Sequence, residues 1–543
     1  MSASRDAAFD YVVIGAGSAG CVLAARLTED GRSTVALVEA GGPDRHPYIH
    51  IPAGYARILM HPRLTWGYRT EPDPGTAGRA LDYPRGKVWG GSSSINGLGH
   101  VRGHPSDYDL WAQKGCTGWD WDGLLPYFRR HESFAGDAGE LRGTAGPQPV
   151  EHLVDRLPLF ARLGEAAEAI GLPFNPDMNG PGREGFSTFQ QTRRGRRRVS
   201  AARAYLVPAL RRPNLALIDR ALALRLVVQD GRATGVAIRR AGQERVIAAR
   251  REVILAAGAI GSPQLLMLSG LGPADHLAAR GIAVLRDMPG VGANLQDHYI
   301  TRLSFRLAPD AWSANRRIHG WRLLPEVLHW ATRGGGVLTW SPGMFSLFAR
   351  TLPGLEAPDI QINGGPISWQ DGVIGVPETR PGMTLGVWQC RPESRGTVRL
   401  ASADPAAAPL IAPRYLATEA DCAAVLRGIR LARRWMAAPP LRGVVVEETR
   451  PGPGAERDAD LLDFARSTGG TVYHPCGTVR MGGADQAAPL DARLRLRGLA
   501  GLRVVDASVF PDIPVCNINA TVLSVAEKAA DLIREDARAA ATA

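Results

Sequence analysis

The N-terminal part of the chain alternates between apolar runs and small residues in the order of a strand, a helix and a second strand. Phe9–Ile14 is an apolar run that predicts a buried strand, and Cys21–Leu27 is an alanine-rich stretch that predicts a helix. A second apolar run, Thr34–Val38, predicts the next strand. Strands that alternate with helices in this way are typical of α/β proteins.

The turn between the first strand and the helix has the glycine spacing GxGxxG. Gly15 permits a tight turn, Gly17 lets the backbone approach a pyrophosphate, and Gly20 lets the helix pack closely on the strand. Ser18 and Ala19 lie at the helix start, where free N–H groups suit phosphates. The pattern predicts a dinucleotide site.

Glu39 ends the second strand, where a carboxylate would accept hydrogen bonds from ribose hydroxyls. A carboxylate at this position argues against a ribose that carries a 2′-phosphate. The motif alone leaves FAD and NAD open as the cofactor.

A second glycine-rich segment, residues 85–97, carries four glycines and three serines. Small residues and hydroxyls suit a backbone that lies against a planar ring or a diphosphate. Gly91, Ser92, Asn96 and Gly97 are its candidate cofactor contacts. The alternative is a flexible surface loop.

Two segments near the C-terminus carry candidate chemistry. His474 lies in a turn bounded by proline and glycine, and Asn517 follows later in the chain. An imidazole titrates near neutral pH and can take the proton of a hydroxyl group, while a carboxamide can hold the same oxygen. Neither group can accept a hydride, so alcohol oxidation at this pair requires a cofactor.

Together these motifs resemble the glucose–methanol–choline (GMC) oxidoreductases, flavoenzymes that oxidise alcohols with FAD. The resemblance covers essentially the whole chain, includes the segments Gly258–Gly272 and Gly290–His298, and is closest to the bacterial choline-dehydrogenase-like branch. It implies an α/β fold (α+β overall), in which a discontinuous Rossmann-like FAD-binding domain carries an inserted substrate domain built on a mostly antiparallel sheet.

The positions of the motifs divide the chain in the same way. We expect the FAD-binding domain to comprise residues 1–155, 221–300 and 461–543. We expect the substrate-binding domain to comprise residues 156–220 and 301–460.

The resemblance implies that His474 is the general base and Asn517 its partner. They would oxidise an alcohol, most simply a primary alcohol to its aldehyde, with hydride transfer to flavin N5. The family also contains lyases and a light-driven decarboxylase, which are the alternative. Tyr473 would wall the substrate pocket. Further FAD contacts are implied at Ala223, Asp506, Ala507 and Thr521.

The chain after Asn519 predicts a helix from Thr521 to Ile533. The dipole and free N–H groups at its N-terminus would favour the negative charge of a reduced flavin. Asn519 is therefore a cofactor contact, an N-cap, or both.

Two positions depart from the family pattern. Some family members attach FAD covalently through a histidine that precedes the asparagine of the glycine/serine segment. That position is Ile95, which has no nucleophilic atom, so we expect FAD to be bound non-covalently. The family often has an aromatic residue where this chain has His100.

Composition fits a two-lobed globular enzyme. The chain has 543 residues, no apolar run long enough to span a bilayer, and a polar N-terminus that leaves no room for a signal peptide. Its six cysteines are scattered, as in a reducing compartment. We therefore expect a cytoplasmic protein, and no transmembrane segment.

The net charge of +11 invites a nucleic-acid interpretation, which the composition does not favour. Lys87, Lys114 and Lys528 are the only lysines among 64 basic residues, which leaves 61 arginines and indicates a genome-wide bias. The arginine-rich run 193–198 is expected to be a solvated face. No nucleic acid and no metal ion are expected as partners.

The sequence leaves the substrate and the electron acceptor open. Choline would need an aromatic cage with a carboxylate, for which Trp340, Trp369, Trp388 and Tyr473 are candidate aromatic residues. An uncharged primary alcohol is equally compatible. The acceptor is oxygen or a quinone-type molecule, and the oligomeric state is unknown.

Overall fold

A computed structural model describes residues 5–153, 155, 157–370, 375–483, 485 and 487–542. The α-helices are, in chain order, α1 (Ser18–Leu27), α2 (Pro47–His50), α3 (Tyr55–Ile58), α4 (Pro105–Gln113), α5 (Trp121–His131), α6 (Pro158–Ala169), α7 (Val207–Ala209), α8 (Gly258–Leu268), α9 (Ala274–Ala278), α10 (Leu323–Arg333), α11 (Glu419–Met436), α12 (Asp458–Thr468) and α13 (Asn519–Thr542).

The strands are, in chain order, β1 (Arg5–Ile14), β2 (Val35–Val38), β3 (Glu132–Phe134), β4 (Gln148–His152), β5 (Gly185–Thr188), β6 (Gln190–Gln191), β7 (Arg193–Arg194), β8 (Arg197–Arg198), β9 (Leu215–Ile218), β10 (Ala221–Gln229), β11 (Arg232–Arg240), β12 (Gln243–Leu255), β13 (Leu271–Gly272), β14 (Arg286–Asp287), β15 (Tyr299–Leu307), β16 (Phe345–Ala349), β17 (Ile360–Gly365), β18 (Gly382–Gln389), β19 (Thr397–Arg399), β20 (Leu410–Ala412), β21 (Val445–Arg450), β22 (Gly470–Thr471) and β23 (Leu502–Val504).

The first large sheet has a parallel centre. Its strand order is β10-β11-β12-β1-β2-β9, and β23 also pairs with β12. Strand β1 runs parallel to both β2 and β12, whereas β10 and β11 extend the sheet as an antiparallel hairpin. The apolar runs of β1 and β2 are buried, as expected for parallel strands at the centre of a sheet, and α1 packs on both strands with α13 packed on α1.

The second large sheet is antiparallel throughout its described pairings. Its order is β21-β15-β18-β17-β16-β5, and β22 also pairs with β15. The long helix α11 packs on one face and shares a hydrophobic core with it. The predicted fold class, a Rossmann-like domain with an inserted, mostly antiparallel substrate domain, is confirmed.

Strand pairing differs from the predicted domain division at two places. Strand β9 falls in the range 156–220, which was assigned to the substrate domain, yet it pairs with β2 of the first sheet. Strand β22 falls in the range 461–543, which was assigned to the FAD domain, yet it pairs with β15 of the second sheet. Strand β9 adjoins no cofactor motif and β22 has only two residues, so neither carries a sequence signal for its sheet.

Within the described ranges, no helix combines the length and the apolar character that crossing a membrane requires.

Candidate active site and cofactor cavity

A cavity of about 390 Å³ is lined by residues from both large sheets. Ile14 and Val38, at the carboxyl ends of β1 and β2, lie at its Rossmann side, which is where open α/β sheets bind ligands. Ile300 and Trp388 line it from the antiparallel sheet, and His474 and Asn517 lie on its wall. The cavity therefore connects the predicted dinucleotide site with the predicted catalytic pair.

The glycines of the fingerprint have separate roles. Gly15 has a φ of +103°, and a Cβ atom there would lie 2.5 Å from the Ala256 carbonyl oxygen. A Cβ atom on Gly20 would collide with Gly15, so Gly20 packs α1 on the strand. On Gly17, by contrast, a Cβ atom would meet nothing nearer than 3.9 Å. A Cβ atom at this cavity-lining position would therefore clash with no protein atom. Glycine there leaves space for a ligand to approach the backbone, as a pyrophosphate would.

Glu39 lines the cavity at the end of β2 and braces the fingerprint loop. One carboxylate oxygen accepts from the Ala16 N–H at 2.8 Å, and the other accepts from the Gly41 N–H at 2.7 Å. Burial raises the pKa of Glu39 to about 7, although both N–H groups favour the ionised form. Further hydrogen-bond donors would stabilise the ionised form of this buried carboxylate, and ribose hydroxyls are donors of this kind.

The glycine/serine segment lies against the fingerprint loop. A Cβ atom on Gly91 would lie 2.8 Å from the Gly17 Cα, so the two glycine-rich backbones touch. Ser92, Asn96 and Gly97 line the cavity beside them. The segment is therefore a wall of the cavity rather than a free surface loop.

Arg198 holds this segment from behind. Its guanidinium is buried and donates to Asn96 Oδ1 at 2.6 Å and to the Ser93 carbonyl at 3.3 Å. Arg193 is buried as well, so the expectation of a solvated face holds for Arg194 and Arg197 but is wrong for these two. Buried arginines need acceptors, and these acceptors lie far away in sequence.

The C-terminal residues join the same cavity. Ser18 donates its hydroxyl to Asn519 Oδ1 at 2.7 Å, which ties the fingerprint helix to the start of α13. Asp506 accepts from the Ser262 hydroxyl and the Gly258 N–H. Ala19, Ala223 and Ala507 also line the cavity.

Two predicted cofactor residues lie behind the wall. Gly20 and Thr521 are not among the residues that line the cavity in the described part of the chain. The Thr521 hydroxyl is 2.8 Å from the Tyr108 hydroxyl and is fully buried. Their contact with a cofactor stays a prediction.

His474 and Asn517 meet at the cavity wall. Asn517 Nδ2 lies 3.2 Å from His474 Nε2. Asn517 Oδ1 is buried and has no hydrogen-bond partner among the described residues, so the amide retains capacity for a ligand. The two side chains can therefore contact the same small molecule in the cavity.

His298 lies behind His474 and determines which of its nitrogens is protonated. His298 Nε2 is 2.8 Å from the Cys390 carbonyl oxygen, which can only accept, so this nitrogen carries hydrogen. Burial lowers the pKa of His298, so its Nδ1 bears a lone pair. That atom lies 3.0 Å from His474 Nδ1, which must donate. His474 Nε2 is thus the free base.

The electrostatics keep that base unprotonated. Burial, followed by the nearby His298 and Arg85, holds the pKa of His474 well below its usual value of 6.5. At neutral pH its Nε2 lone pair is therefore available to take a proton.

Asp297 fixes the turn that carries His474. Its Oδ1 accepts from the His474 N–H at 2.7 Å, and its Oδ2 accepts from the hydroxyls of Tyr83, Tyr415 and Thr471. Tyr473 has a φ of +67°, a left-handed conformation that is costly for a large side chain and must be held by such contacts.

Two family models described as GMC oxidoreductase match residues 9–300 and 392–526. The chain belongs to the GMC oxidoreductase family.

The relatives agree over nearly the full length. An oxygen-dependent choline dehydrogenase of Rhizobium johnstonii is 41% identical over 535 residues, which cover 96% of this chain and 95% of that protein. The structure of pyridoxine 4-oxidase from Mesorbium loti has a TM-score of 0.86 at 33% identity, covering 96% of this chain and 98% of the other. A formate oxidase variant of Aspergillus oryzae has a TM-score of 0.91 at 28% identity, covering 98% and 99%.

As a GMC oxidoreductase, the chain is an FAD-dependent enzyme that acts on CH–OH donors, which resolves the choice between FAD and NAD. The residues that line the Rossmann side of the cavity fit this cofactor, as Gly17 and Glu39 illustrate. Nothing in the comparisons favours the lyase or decarboxylase alternative.

Ile95, at the position where some GMC oxidoreductases carry the linking histidine, lines the cavity and is buried. It packs in a small apolar cluster with Ile49, Ile58 and Val88. A residue held by apolar contacts, with no nucleophilic atom, cannot form a bond to FAD.

The substrate side of this GMC enzyme is largely aromatic. Trp369, Trp388 and Tyr473 line the cavity, whereas Trp340 does not and instead donates its indole N–H to Asp155. His100 also lies away from the cavity, in a buried cluster with Glu132. No group of potential metal ligands occurs among the residues that the structure describes.

Sequence reasoning gave no role to His298 or Asp297. Both belong to the segment Gly290–His298, which was identified by its resemblance to the family alone. The adjacency of two polar side chains was the available signal, but His474, which both of them contact, lies more than 170 positions away in the chain.

Proposed function

We propose that this GMC oxidoreductase oxidises a primary alcohol to its aldehyde, with His474 as the general base and Asn517 as its partner. The observation that carries the proposal is the contact between His474 Nε2 and Asn517 Nδ2 at the cavity wall, with Nε2 as the unprotonated nitrogen. FAD, when bound, supplies the hydride acceptor.

His474 and Asn517 have different roles toward the substrate hydroxyl. The substrate hydroxyl binds between the two side chains and replaces their direct hydrogen bond. Its proton then points at His474 Nε2, and its oxygen accepts a hydrogen bond from Asn517 Nδ2. As the proton moves to Nε2, the imidazole becomes positively charged while its Nδ1–H remains donated to His298. A general base of this kind contributes about 100- to 10,000-fold to the rate.

Different parts of FAD are held by different segments of the chain. The fingerprint residues and Glu39 hold the adenosine and pyrophosphate, and the glycine/serine segment holds the flavin end. The helix start at Asn519 lies at the cavity wall, where its dipole favours negative charge. FAD is bound non-covalently, which the apolar packing of Ile95 supports.

The electron acceptor is proposed to be oxygen, with a quinone-type molecule as the alternative. The relative from Rhizobium johnstonii is described as oxygen-dependent, which favours oxygen. The six cysteines are unpaired, which supports the proposed cytoplasmic location.

The test is anaerobic reduction of the purified yellow holoenzyme by a panel of primary alcohols. We expect loss of the visible flavin absorbance with at least one alcohol, formation of one aldehyde per flavin, and recovery of the colour in air. A holoenzyme that stays oxidised with every alcohol, yet is bleached by dithionite, would contradict the proposed function. Parallel assays with oxygen and a redox dye identify the acceptor.

A further inference from the structure

Arg302 is a cation without a partner on the substrate side of the cavity. It lies on β15, and its side chain lines the cavity. The guanidinium makes no hydrogen bond and no ion pair with any residue that the structure describes. Arginine stays protonated in proteins, so it brings a permanent positive charge to this wall.

The buried arginines among the described residues do have acceptors, whereas Arg302 itself is only partly buried. Three pair with carboxylates, namely Arg102, Arg142 and Arg503. Three donate to backbone carbonyls, namely Arg183, Arg193 and Arg198. Arg85, which also lines the cavity, donates to the carbonyls of Tyr473 and Pro84. Arg302 differs from these arginines because its guanidinium has no such acceptor among the described residues, and a desolvated charge is costly unless it is paired.

The surroundings of Arg302 do not compensate its charge. Burial lowers the pKa of Arg302, and the groups that oppose this shift are the phenols of Tyr473, Tyr55 and Tyr299 rather than carboxylates. Glu39 and Asp506 are the only acidic residues among the described residues that line the cavity. Both lie on the Rossmann side and are already held by backbone N–H groups.

The strand places Arg302 on the same face as Ile300, towards the cavity. Arg302 lies directly opposite Gly386 of β18, which has no side chain to cover it. Arg302 lines the same cavity as His474 and Asn517, and β15 pairs with β22, which ends three residues before His474. Trp388 and Tyr473 provide apolar walls in that cavity.

From this arrangement we infer that Arg302 is an anion-binding residue, and that the natural substrate is a primary alcohol that carries an oxyanion group, a carboxylate or a phosphate, away from its hydroxyl. The inference rests on the proposed function for the oxidised end of the substrate. It makes choline a poor substrate, because a quaternary ammonium needs a carboxylate and would meet Arg302 instead.

Binding to the oxidised holoenzyme tests the anion site without any turnover. Titrations with benzoate and with benzamide, followed by calorimetry and by the flavin spectrum, compare an anion with a neutral molecule of similar shape. Inorganic phosphate in a third titration separates a phosphate site from a carboxylate site. We expect one of the two anions to bind more tightly than benzamide by on the order of 10- to 100-fold, since a charge-assisted hydrogen bond is made.

Variants attribute the binding to Arg302. Arg302→Met should abolish the preference for the anion, and Arg302→Lys should retain part of it, because the charge remains without the planar fork. Arg306→Met is the matched control, since Arg306 lies on the same strand and face but outside the cavity and pairs with Glu447. FAD content should stay at the parent value for Arg302→Met, and the unfolding temperature should be equal or higher, because Arg302 has no partner among the described residues to lose and an unpaired charge is removed.

The rate of flavin reduction by charged and neutral alcohols tests whether the anion site binds the substrate. We compare 4-(hydroxymethyl)benzoate with its methyl ester, glycerol 3-phosphate with glycerol, and choline. The parent should prefer the charged member of one pair and use choline worst, whereas Arg302→Met should reduce its flavin at similar rates with the two members of that pair. Equal binding of anions and benzamide by the parent, or an anion preference that survives in Arg302→Met, would overturn the inference. If anions bind through Arg302 but no alcohol bleaches the flavin, the proposed function fails and the anion site stands.

Discussion

His298 Nδ1 lies 3.0 Å from His474 Nδ1, and this contact decides which nitrogen of the catalytic histidine is free. The Cys390 carbonyl oxygen accepts a hydrogen bond from His298 Nε2–H, so His298 Nδ1 can only accept from His474. The remaining nitrogen of His474, Nε2, lies next to Asn517. The base is therefore prepared before any substrate binds.

The first prediction follows from that contact. His298→Ala removes the acceptor for His474 Nδ1–H, so the imidazole can adopt the tautomer that presents a proton to the alcohol. We expect slower anaerobic flavin reduction, by about tenfold or more, with unchanged FAD content, because orientation of a general base is part of its effect. Stopped-flow reduction with a saturating alcohol measures it. A His298→Ala enzyme that reduces at the parent rate would show that the tautomer is set elsewhere.

The second prediction concerns the attachment of FAD. Ile95 is packed in an apolar cluster at the position of the linking histidine, so acid precipitation should release all the yellow colour into the supernatant. Absorbance of the supernatant and the washed pellet measures the distribution. Flavin that stays with the pellet would require a covalent bond at another residue.

The third prediction concerns Glu39. Glu39→Ala should weaken FAD retention, since it removes both a ribose acceptor and the brace on the Ala16 and Gly41 N–H groups. The loss should amount to about 1.5–3 kcal/mol, the usual scale for a charge-assisted hydrogen bond. Glu39→Gln, which keeps one acceptor, should lose less. Equilibrium dialysis of the refilled apoenzyme gives both values, and parent-like affinity in Glu39→Ala would remove Glu39 from the ribose site.

The fourth prediction uses a buried histidine far from the chemistry. Both ring nitrogens of His131 lack hydrogen-bond partners in the described structure, and burial holds the pKa of His131 well below 6.5. The unfolded chain therefore takes up a proton as the pH falls through 6.5 while the folded chain does not, and stability present above 6.5 is lost below it.

His131→Leu should remove this contribution. We expect a smaller fall in unfolding temperature between about pH 7.5 and about pH 5.5 than in the parent holoenzyme, measured by calorimetry. Stability at the higher pH should be equal or greater, because an unpaired buried polar group is removed. An unchanged pH dependence would show that other groups dominate acid unfolding.

The local elements could be predicted from the sequence because their signals are local. The apolar runs at Phe9–Ile14 and Thr34–Val38 correspond to β1 and β2, and the helix predicted at Cys21–Leu27 begins earlier, at Ser18. The C-terminal helix is longer than the predicted Thr521–Ile533, since its alanine-rich end continues to Thr542. A pattern of apolar residues fades at exposed helix ends, whereas the backbone hydrogen bonds continue.

The site was predictable only where its residues stand in recognisable motifs. His474, Asn517, Tyr473 and the glycines were found in this way, and the structure brings most of them to one cavity. Arg302 was not found, because it sits in an ordinary strand and one arginine among many carries no signal. The inference about Arg302 depends on the lack of an acceptor for its guanidinium among the described residues, and only three-dimensional packing reveals that.

The rate of anaerobic flavin reduction in His474→Ala, compared with Asn517→Ala and the parent, tests the central claim most directly. We expect both variants to keep FAD, with His474→Ala slower than the parent by about 100- to 10,000-fold and Asn517→Ala slowed less, since it loses one hydrogen bond and keeps the base. A His474→Ala enzyme that reduces its flavin at the parent rate, or an Asn517→Ala enzyme that is slower than His474→Ala, would contradict the assignment of the base.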